Sequence, residues 1–214
     1  MAASTMGNIR AVLFDFDDTL VDTFGSKVPA IIEFCFEEYG LEVRRQEVEA
    51  LWGRPFKEMI AALNGGRSVD ISRYLKVSER YPLKAFSESG SVLDVLGQRY
   101  KLGIVTSLSR EVLLHSLRHL EWRESRFCAL VAEGEAVAHK PDPRVFEPAM
   151  MSLAGVSRGE VLYVGDAVTD ALAAQGAGIQ FVGIARDLVR RKAFETAGFP
   201  CRPSLQEVAT EVLC

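Results

Sequence analysis

The stretch VLFDFDDTLVD, from Val12 to Asp22, joins an apolar run to a dense group of carboxylates. Asp15, Asp17 and Asp18 occupy three of the four positions that follow the apolar residues Val12 to Phe14. Two like charges about 4 Å apart repel by roughly 1 kcal/mol in water and by about 4 kcal/mol near a protein surface. A buried strand that ends on such a cluster therefore needs a compensating interaction.

Further short apolar runs along the chain are typical of a parallel sheet that is buried on both faces. The predicted strands are AVLFDF (11–16), LGIVT (102–106), CALV (128–131), VLYVGD (161–166) and IQFVGI (179–184). Helical periodicity over 110–120 and 142–155 separates the later runs, and Pro148 inside the second segment predicts a local kink. This alternation predicts a doubly wound, mostly parallel α/β core of three layers.

The first crossover is longer than such a fold requires. More than eighty residues separate Thr19 from Leu102, whereas a whole βαβ unit needs about thirty. The excess is helical in pattern, beginning with apolar residues at helical spacing from Val28 to Tyr39 and a glycine stop at Gly40. We therefore predict an all-helical domain over 23–85, inserted into an α/β core domain formed by 1–22 and 86–214.

Composition excludes several classes of protein. The chain has 214 residues and a net charge of −4, so it offers no basic surface for nucleic acid. Its apolar runs are too short to span a membrane. The four cysteines are far apart and form no CxxC pair, which favours reduced thiols and a cytoplasmic location. Nothing in the sequence demands more than a monomer.

Polar residues at the strand ends are expected to converge. Asp15, Thr106 and Asp166 each end a predicted strand, and ligands of open α/β sheets bind beyond the carboxyl ends of the strands. Asp17 lies two residues after Asp15 and so points to the same side. Asp170 follows Asp166 by one helical turn. Four carboxylates without a nearby His or Cys pair favour Mg²⁺, and the metal implies a phosphorylated ligand.

These residues resemble the motifs of the haloacid dehalogenase superfamily. Asp15 to Thr19 is similar to its DxDxT motif, and Thr106 to its strand-ending Thr or Ser. Lys140 in HKPDP matches its lysine motif, and GDAVTD, with Asp166 and Asp170, matches GDxxxD. The four motifs occur in order, and the helical insertion lies where one class of the family carries its cap. The pattern is most similar to the phosphoglycolate phosphatase branch.

The resemblance implies an enzyme, a phosphatase that hydrolyses a small phosphorylated metabolite through an aspartyl-phosphate. Asp15 is the implied nucleophile, and Asp17 is the acid that protonates the leaving oxygen and then the base that activates water. Thr106 and Lys140 are expected to hold the transferring phosphoryl oxygens. Ser107 is expected to contribute its backbone N–H.

The resemblance also implies a metal site and a substrate contact. Mg²⁺ is expected on Asp15, Asp166 and the backbone carbonyl of Asp17, with Asp170 in support. Asp170 has a second interpretation, in which it only bonds to a helix N-terminus. In the cap, Arg54 follows the WG break at a position where relatives place a loop that inspects the substrate.

Other functions remain open at this point. The alternative is a sugar-phosphate mutase like β-phosphoglucomutase, which shares all four motifs but carries a His where this chain has Lys27. Dehalogenases and phosphonatases replace the second Asp of the first motif, so Asp17 argues against both. A non-catalytic binding module is expected to lack the nucleophile or the lysine, and here both are present. The segment 186–192 is interpreted as a solvated helix face, Asp18 as a turn residue, and Asp22 as the start of the first cap helix.

Overall fold

The computed structural model describes residues 8–52 and 56–214. Within these ranges the chain divides into two compact units. One unit combines the segment up to Val21 with Ala85–Cys214, and the other is Asp22–Lys84.

A parallel sheet of six strands organises the first unit. Its strands are β1 (Ala11–Phe14), β2 (Lys101–Val105), β3 (Ala129–Val131), β4 (Val161–Gly165), β5 (Gln180–Ile184) and β6 (Cys201–Arg202), in the spatial order β3-β2-β1-β4-β5-β6. Neighbouring strands pair in parallel throughout, and Phe14 of β1 stands opposite Ile104 on one side and Val164 on the other. The four residues of β1 are fully buried, as expected for a central strand covered on both faces.

This topology confirms the predicted doubly wound α/β fold. The connections run outward in opposite directions from β1, so the strand order reverses beside it. A crevice opens at such a reversal, beyond the carboxyl ends of the strands, and it is the usual ligand position in open α/β sheets.

The second unit is helical. Its helices are α1 (Thr23–Tyr39), α2 (Arg45–Glu49), α3 (Phe56–Leu63) and α4 (Ile71–Ser78). Asp22 is the N-cap of α1, because its side chain accepts a hydrogen bond from the Gly25 N–H at 2.7 Å. Gly40 ends the helix with a φ of 66°, a conformation that favours glycine.

The buried face of α1 differs slightly from the predicted apolar stripe. Ile31, Phe34 and Cys35 are buried against residues of the later helices, among them Ile60. Phe36, which the stripe included, is instead 60% exposed. The face that packs therefore includes Phe34, which the spacing did not predict, and leaves out Phe36.

Among the described residues of the first unit, six α-helices accompany the sheet. They are α5 (Ser89–Gly97), α6 (Arg110–His119), α7 (Glu147–Ser152), α8 (Val168–Ala177), α9 (Leu188–Ala197) and α10 (Leu205–Leu213). No helix of the described ranges is long and apolar enough to cross a membrane.

The predicted kinked helix over 142–155 is wrong. The chain forms a 3₁₀ turn over Pro143–Phe146 and then α7, and Pro148 lies in the first turn of α7. A first-turn proline loses no helical hydrogen bond, since its missing N–H would have no partner there. Pro148 therefore starts a helix and does not bend one.

Candidate active site

Three predicted site residues lie at the carboxyl ends of adjacent strands. Asp15 follows β1 and is 6% exposed, and its N–H donates to the carbonyl of Val164 at 2.8 Å, which continues the ladder to β4. Thr106 follows β2 and is 4% exposed. Asp166 follows β4 directly. The order of the strands thus brings together segments that are far apart in the sequence.

Three carboxylates form one cluster. Asp15, Asp166 and Asp170 each offer an oxygen, and these oxygens all lie within 4.8 Å of one another. Asp17 is not one of the three residues whose carboxylate oxygens meet in this cluster.

Asp170 has two functions in the local structure. Its Oδ2 accepts a hydrogen bond from the Ala167 N–H at 3.0 Å and so caps the start of α8. Its Oδ1 faces Lys140 within the carboxylate cluster. Gly165 makes this position possible, because a Cβ on residue 165 would stand 2.4 Å from Asp170 Oδ2. The two interpretations of Asp170 are therefore compatible.

Lys140 enters the cluster from a loop far away in the sequence. Its Nζ lies 2.7 Å from Asp15 Oδ1 and 2.7 Å from Asp170 Oδ1, and only 9% of its side chain is exposed. Burial alone would lower the pKa of Lys140, but Asp15, Tyr163 and Asp170 together raise that pKa well above its ordinary value. The lysine is therefore a fixed positive charge beside the candidate nucleophile.

One lysine does not balance this cluster. Burial, followed by the charges of Asp170 and Asp166, raises the pKa of Asp15 well above its ordinary value even though Lys140 opposes the shift. Burial and the charge of Asp170 raise the pKa of Asp166 to about 7. Both shifts arise first from burial and then from the neighbouring carboxylates, so a further positive charge would favour the ionised forms. An all-oxygen donor set with excess negative charge fits a hard divalent cation such as Mg²⁺.

Arg190 supplies part of the missing charge, and sequence reasoning missed it. Its Nε lies 3.1 Å from Asp166 Oδ2, and its Nη2 lies 3.1 Å from Asp18 Oδ2. Asp187, the N-cap of α9, holds the same guanidinium at 2.6 Å. Arg190 belongs to the segment 186–192, whose sequence predicts a solvated helix face. For this residue the prediction is wrong, because α9 turns its N-terminal end toward the acidic residues.

Asp18 is more than a turn residue. It has a φ of 53°, in the left-handed region, and it is 7% exposed. Asp tolerates this conformation better than most residues. The turn therefore directs the Asp18 carboxylate toward Arg190, so that the first and fourth acidic motifs share one cation.

The remaining predicted site residues are Thr106, Ser107, Asp17 and Arg54. The hydroxyl of Thr106 accepts a hydrogen bond from the Leu108 N–H at 3.2 Å, which fixes the turn after β2. Ser107 lies in that turn and is exposed. Asp17 is half-buried, and its backbone bridges to Val21. Arg54 lies outside the described residues.

The chain belongs to the haloacid dehalogenase-like hydrolase family. The family pattern matches residues 12–184, which include both acidic motifs, Thr106 and Lys140. The protein is an enzyme, a phosphatase of this family. Its resemblance to the family, stated above from four motifs, is thereby confirmed.

Individual relatives are distant but cover most of the chain. A putative pyrophosphatase PpaX from Caldanaerobacter subterraneus is 27% identical over 82% of this chain and 81% of its own length. A phosphoglycolate phosphatase from Photorhabdus laumondii is 29% identical over 86% of this chain and 83% of its own length. Among solved structures, a putative β-phosphoglucomutase from Thermotoga maritima has a TM-score of 0.79 and 25% identity, over 94% of this chain and 97% of that one.

Proposed function

We propose that this protein hydrolyses a small phosphorylated metabolite in a Mg²⁺-dependent reaction through a phosphorylated Asp15. The carrying observation is the contact of Lys140 with both Asp15 and Asp170, inside a cluster of three carboxylates at the end of the central strand. This arrangement supports the proposal, because a candidate nucleophile, a buried cation and a set of oxygen donors are the parts that phosphoryl transfer requires.

In the proposed first step, a carboxylate oxygen of Asp15 attacks phosphorus and the bond from phosphorus to the ester oxygen breaks. Asp17 donates its proton to the leaving oxygen, and an acyl phosphate on Asp15 remains. In the second step Asp17 takes a proton from water, and the water oxygen attacks phosphorus. The Asp15–phosphorus bond then breaks, which releases inorganic phosphate and restores the carboxylate.

Lys140 stabilises the negative charge of Asp15 and of the transferring phosphoryl oxygens, because it is fixed, buried and cationic. Asp15, Asp166, Asp170 and the backbone carbonyl of Asp17 would hold Mg²⁺. When bound, the ion supplies positive charge to the phosphoryl oxygens and to the crowded carboxylates.

The substrate class rests on the relatives and on the helical unit. Similar proteins include a pyrophosphatase and a phosphoglycolate phosphatase, both of which act on small phosphorylated compounds by their names. Within the family the inserted unit would supply the specificity, with Arg54 as a candidate contact. We propose no nucleic acid or membrane partner.

A sugar-phosphate mutase is the second candidate. The similarity to a putative β-phosphoglucomutase favours it, since that chain is 25% identical and has the same fold over nearly its whole length. Lys27, in the place of the expected His, disfavours it. The two candidates differ in the phosphoryl acceptor, which is water in one and a sugar hydroxyl in the other.

Phosphate release from a panel of compounds tests the proposal. The panel contains pyrophosphate, phosphoglycolate and β-glucose 1-phosphate, each with and without Mg²⁺. Asp15→Asn removes the nucleophile at nearly constant shape, and Asp94→Asn makes the same chemical change at an exposed position.

We expect Mg²⁺-dependent release from at least one compound, abolished by Asp15→Asn and unchanged by Asp94→Asn. Conversion of β-glucose 1-phosphate to the 6-phosphate without phosphate release would establish the mutase. Equal release by the Asp15→Asn variant would overturn the proposed mechanism.

A further inference from the structure

The hydroxyl of Tyr163, a residue of the central strand β4, lies beside Lys140 and Asp170 of the candidate active site. Tyr163 of β4 is fully buried, and its ring packs edge-to-face on Phe146 with ring centroids 4.8 Å apart. Aromatic packing of this kind needs no hydroxyl, and a phenylalanine would fill the same space. The hydroxyl nevertheless lies among the polar groups at the carboxyl ends of the strands.

The neighbours of this hydroxyl determine where it donates and where it accepts a hydrogen bond. Tyr163 donates its only proton to the Val105 carbonyl at 2.9 Å, across β1 and at the end of β2. The distance from the hydroxyl to Asp170 Oδ1 is 3.5 Å, at the limit of a hydrogen bond. With the proton on Val105, an oxygen lone pair is left to accept from Lys140, whose Nζ lies 3.0 Å away.

Tyr163 therefore completes the coordination of the Lys140 ammonium. A lysine has three N–H donors and no acceptor. The three acceptors here are Asp15 Oδ1 at 2.7 Å, Asp170 Oδ1 at 2.7 Å and the Tyr163 hydroxyl at 3.0 Å. Two of these partners are charged, and Tyr163 is the neutral one.

The three acceptors of Lys140 differ in what happens to them when a phosphoryl group binds. Lys140 can contact a phosphoryl oxygen only by turning a donor away from one of its present acceptors. Asp15 is the group that becomes phosphorylated in the proposed reaction, so its contact with Lys140 changes during the cycle. The Tyr163 hydroxyl takes no part in bond making and is held by the backbone of another strand.

We propose that Tyr163 is a positioning residue for phosphoryl transfer, whose hydroxyl keeps the Lys140 ammonium in place while the contacts of Lys140 with Asp15 and the phosphoryl group exchange. This inference rests on the proposed phosphatase function. It assigns the hydroxyl to the reaction and the ring to the core.

The test compares Tyr163→Phe with wild-type enzyme on the best substrate of the panel. Loss of a hydrogen bond to a charged group in a buried site is expected to lower kcat by roughly 10- to 100-fold. We expect KM to change less than kcat, because the ammonium and the substrate-binding groups are all retained. The matched control is Tyr100→Phe, since the Tyr100 hydroxyl also donates to a backbone carbonyl, that of Val212 at 2.8 Å.

A second background separates positioning from a general structural effect. If the hydroxyl acts through Lys140, Tyr163→Phe should cost less in a Lys140→Arg enzyme than in the wild type. A merely structural role predicts the same fold-loss in both backgrounds, since the effects of independent sites add. Thermal melting of each variant checks that the fold is retained.

The outcomes are distinct. A selective fall in kcat for Tyr163→Phe, with normal rates for Tyr100→Phe and a smaller effect in the Lys140→Arg background, supports the inference. A kcat that stays within about twofold of wild type, or an equal loss in both backgrounds, overturns it. Absence of phosphate release by the wild-type protein on every compound would instead refute the phosphatase proposal.

Discussion

Replacement of Gly165 by alanine should damage both the stability and the activity of the protein. A Cβ at this position would lie 2.4 Å from Asp170 Oδ2, 2.6 Å from Cγ and 2.8 Å from Cβ, whereas ordinary contact begins at 3.4 Å. The overlap of about 1 Å falls on a buried side chain that caps α8 and binds Lys140. Asp170 has to move, and its movement breaks both contacts.

The size of the effect follows from those contacts. Overpacking in a core costs about 1–3 kcal/mol. Separating one partner of a buried ion pair costs about 3–5 kcal/mol, so we expect the free energy of unfolding to fall by about 3 kcal/mol or more. For a chain of this length that loss lowers Tm by roughly 6–12 °C.

Thermal unfolding followed by circular dichroism measures this loss, and phosphate release on the same samples measures activity. Gly90→Ala is the matched control, because a Cβ at residue 90 in α5 meets nothing within 4 Å. Its melting temperature should stay the same or rise, since alanine is the better helix former. A Gly165→Ala protein that melts within about 1 °C of wild type and retains its rate would refute this account of how Asp170 is placed.

Two further predictions concern the cations of the site. Arg190→Gln should weaken Mg²⁺ binding about tenfold in calorimetric titration, because it frees the Asp166 carboxylate that Arg190 Nε holds at 3.1 Å. The control is Arg191→Gln, on the neighbouring exposed residue, which should leave the Mg²⁺ affinity unchanged. Tighter Mg²⁺ binding in the Arg190→Gln variant would contradict the prediction and show that the arginine competes with the metal. The second prediction concerns pH. Since folding raises the pKa of Asp166 to about 7, the stability that this group contributes is complete below its unfolded pKa and is lost as the pH rises through 7. Mg²⁺ should therefore raise Tm more at about pH 8 than at about pH 5 in scanning calorimetry, and an equal rise at both would contradict the shift.

The sheet was predictable because its strands are buried on both faces. Continuous apolar runs such as 11–14 and 161–165 are typical of strands that helices cover on both faces of a sheet. The last strand, Cys201–Arg202, escaped prediction because two residues at a sheet edge carry no periodicity. The order of the strands, β3-β2-β1-β4-β5-β6, was not predicted, since pairing partners cannot be deduced from apolar runs alone.

The acidic part of the site was predictable for a different reason. Asp15 and Asp166 stand directly after strand residues, so their location followed from the topology once the strands were assigned. Lys140 came only from the family motif, because it lies in a loop between β3 and α7 whose path has no local signal.

Arg190 and Tyr163 could not be found this way. Arg190 lies in a charged segment whose local pattern is that of any solvated helix, and its contact with Asp166 depends on how α9 docks. Tyr163 has the pattern of an ordinary core residue within an apolar strand, because its ring is indeed part of the core. Both residues act through contacts between elements distant in sequence, which periodicity does not encode.

The central claim is that Asp15 carries the phosphoryl group during turnover. The most direct measurement is mass spectrometry of enzyme quenched with acid during hydrolysis of its best substrate. Trypsin should release the segment 11–27, which contains Asp15, Asp17, Asp18 and Asp22, and fragmentation assigns any modification to one of them. We predict one added phosphoryl group on Asp15, sensitive to hydroxylamine as an acyl phosphate is, and absent from the Asp15→Asn variant. Active turnover with an unmodified segment, or with the phosphoryl group on another residue, would contradict the account.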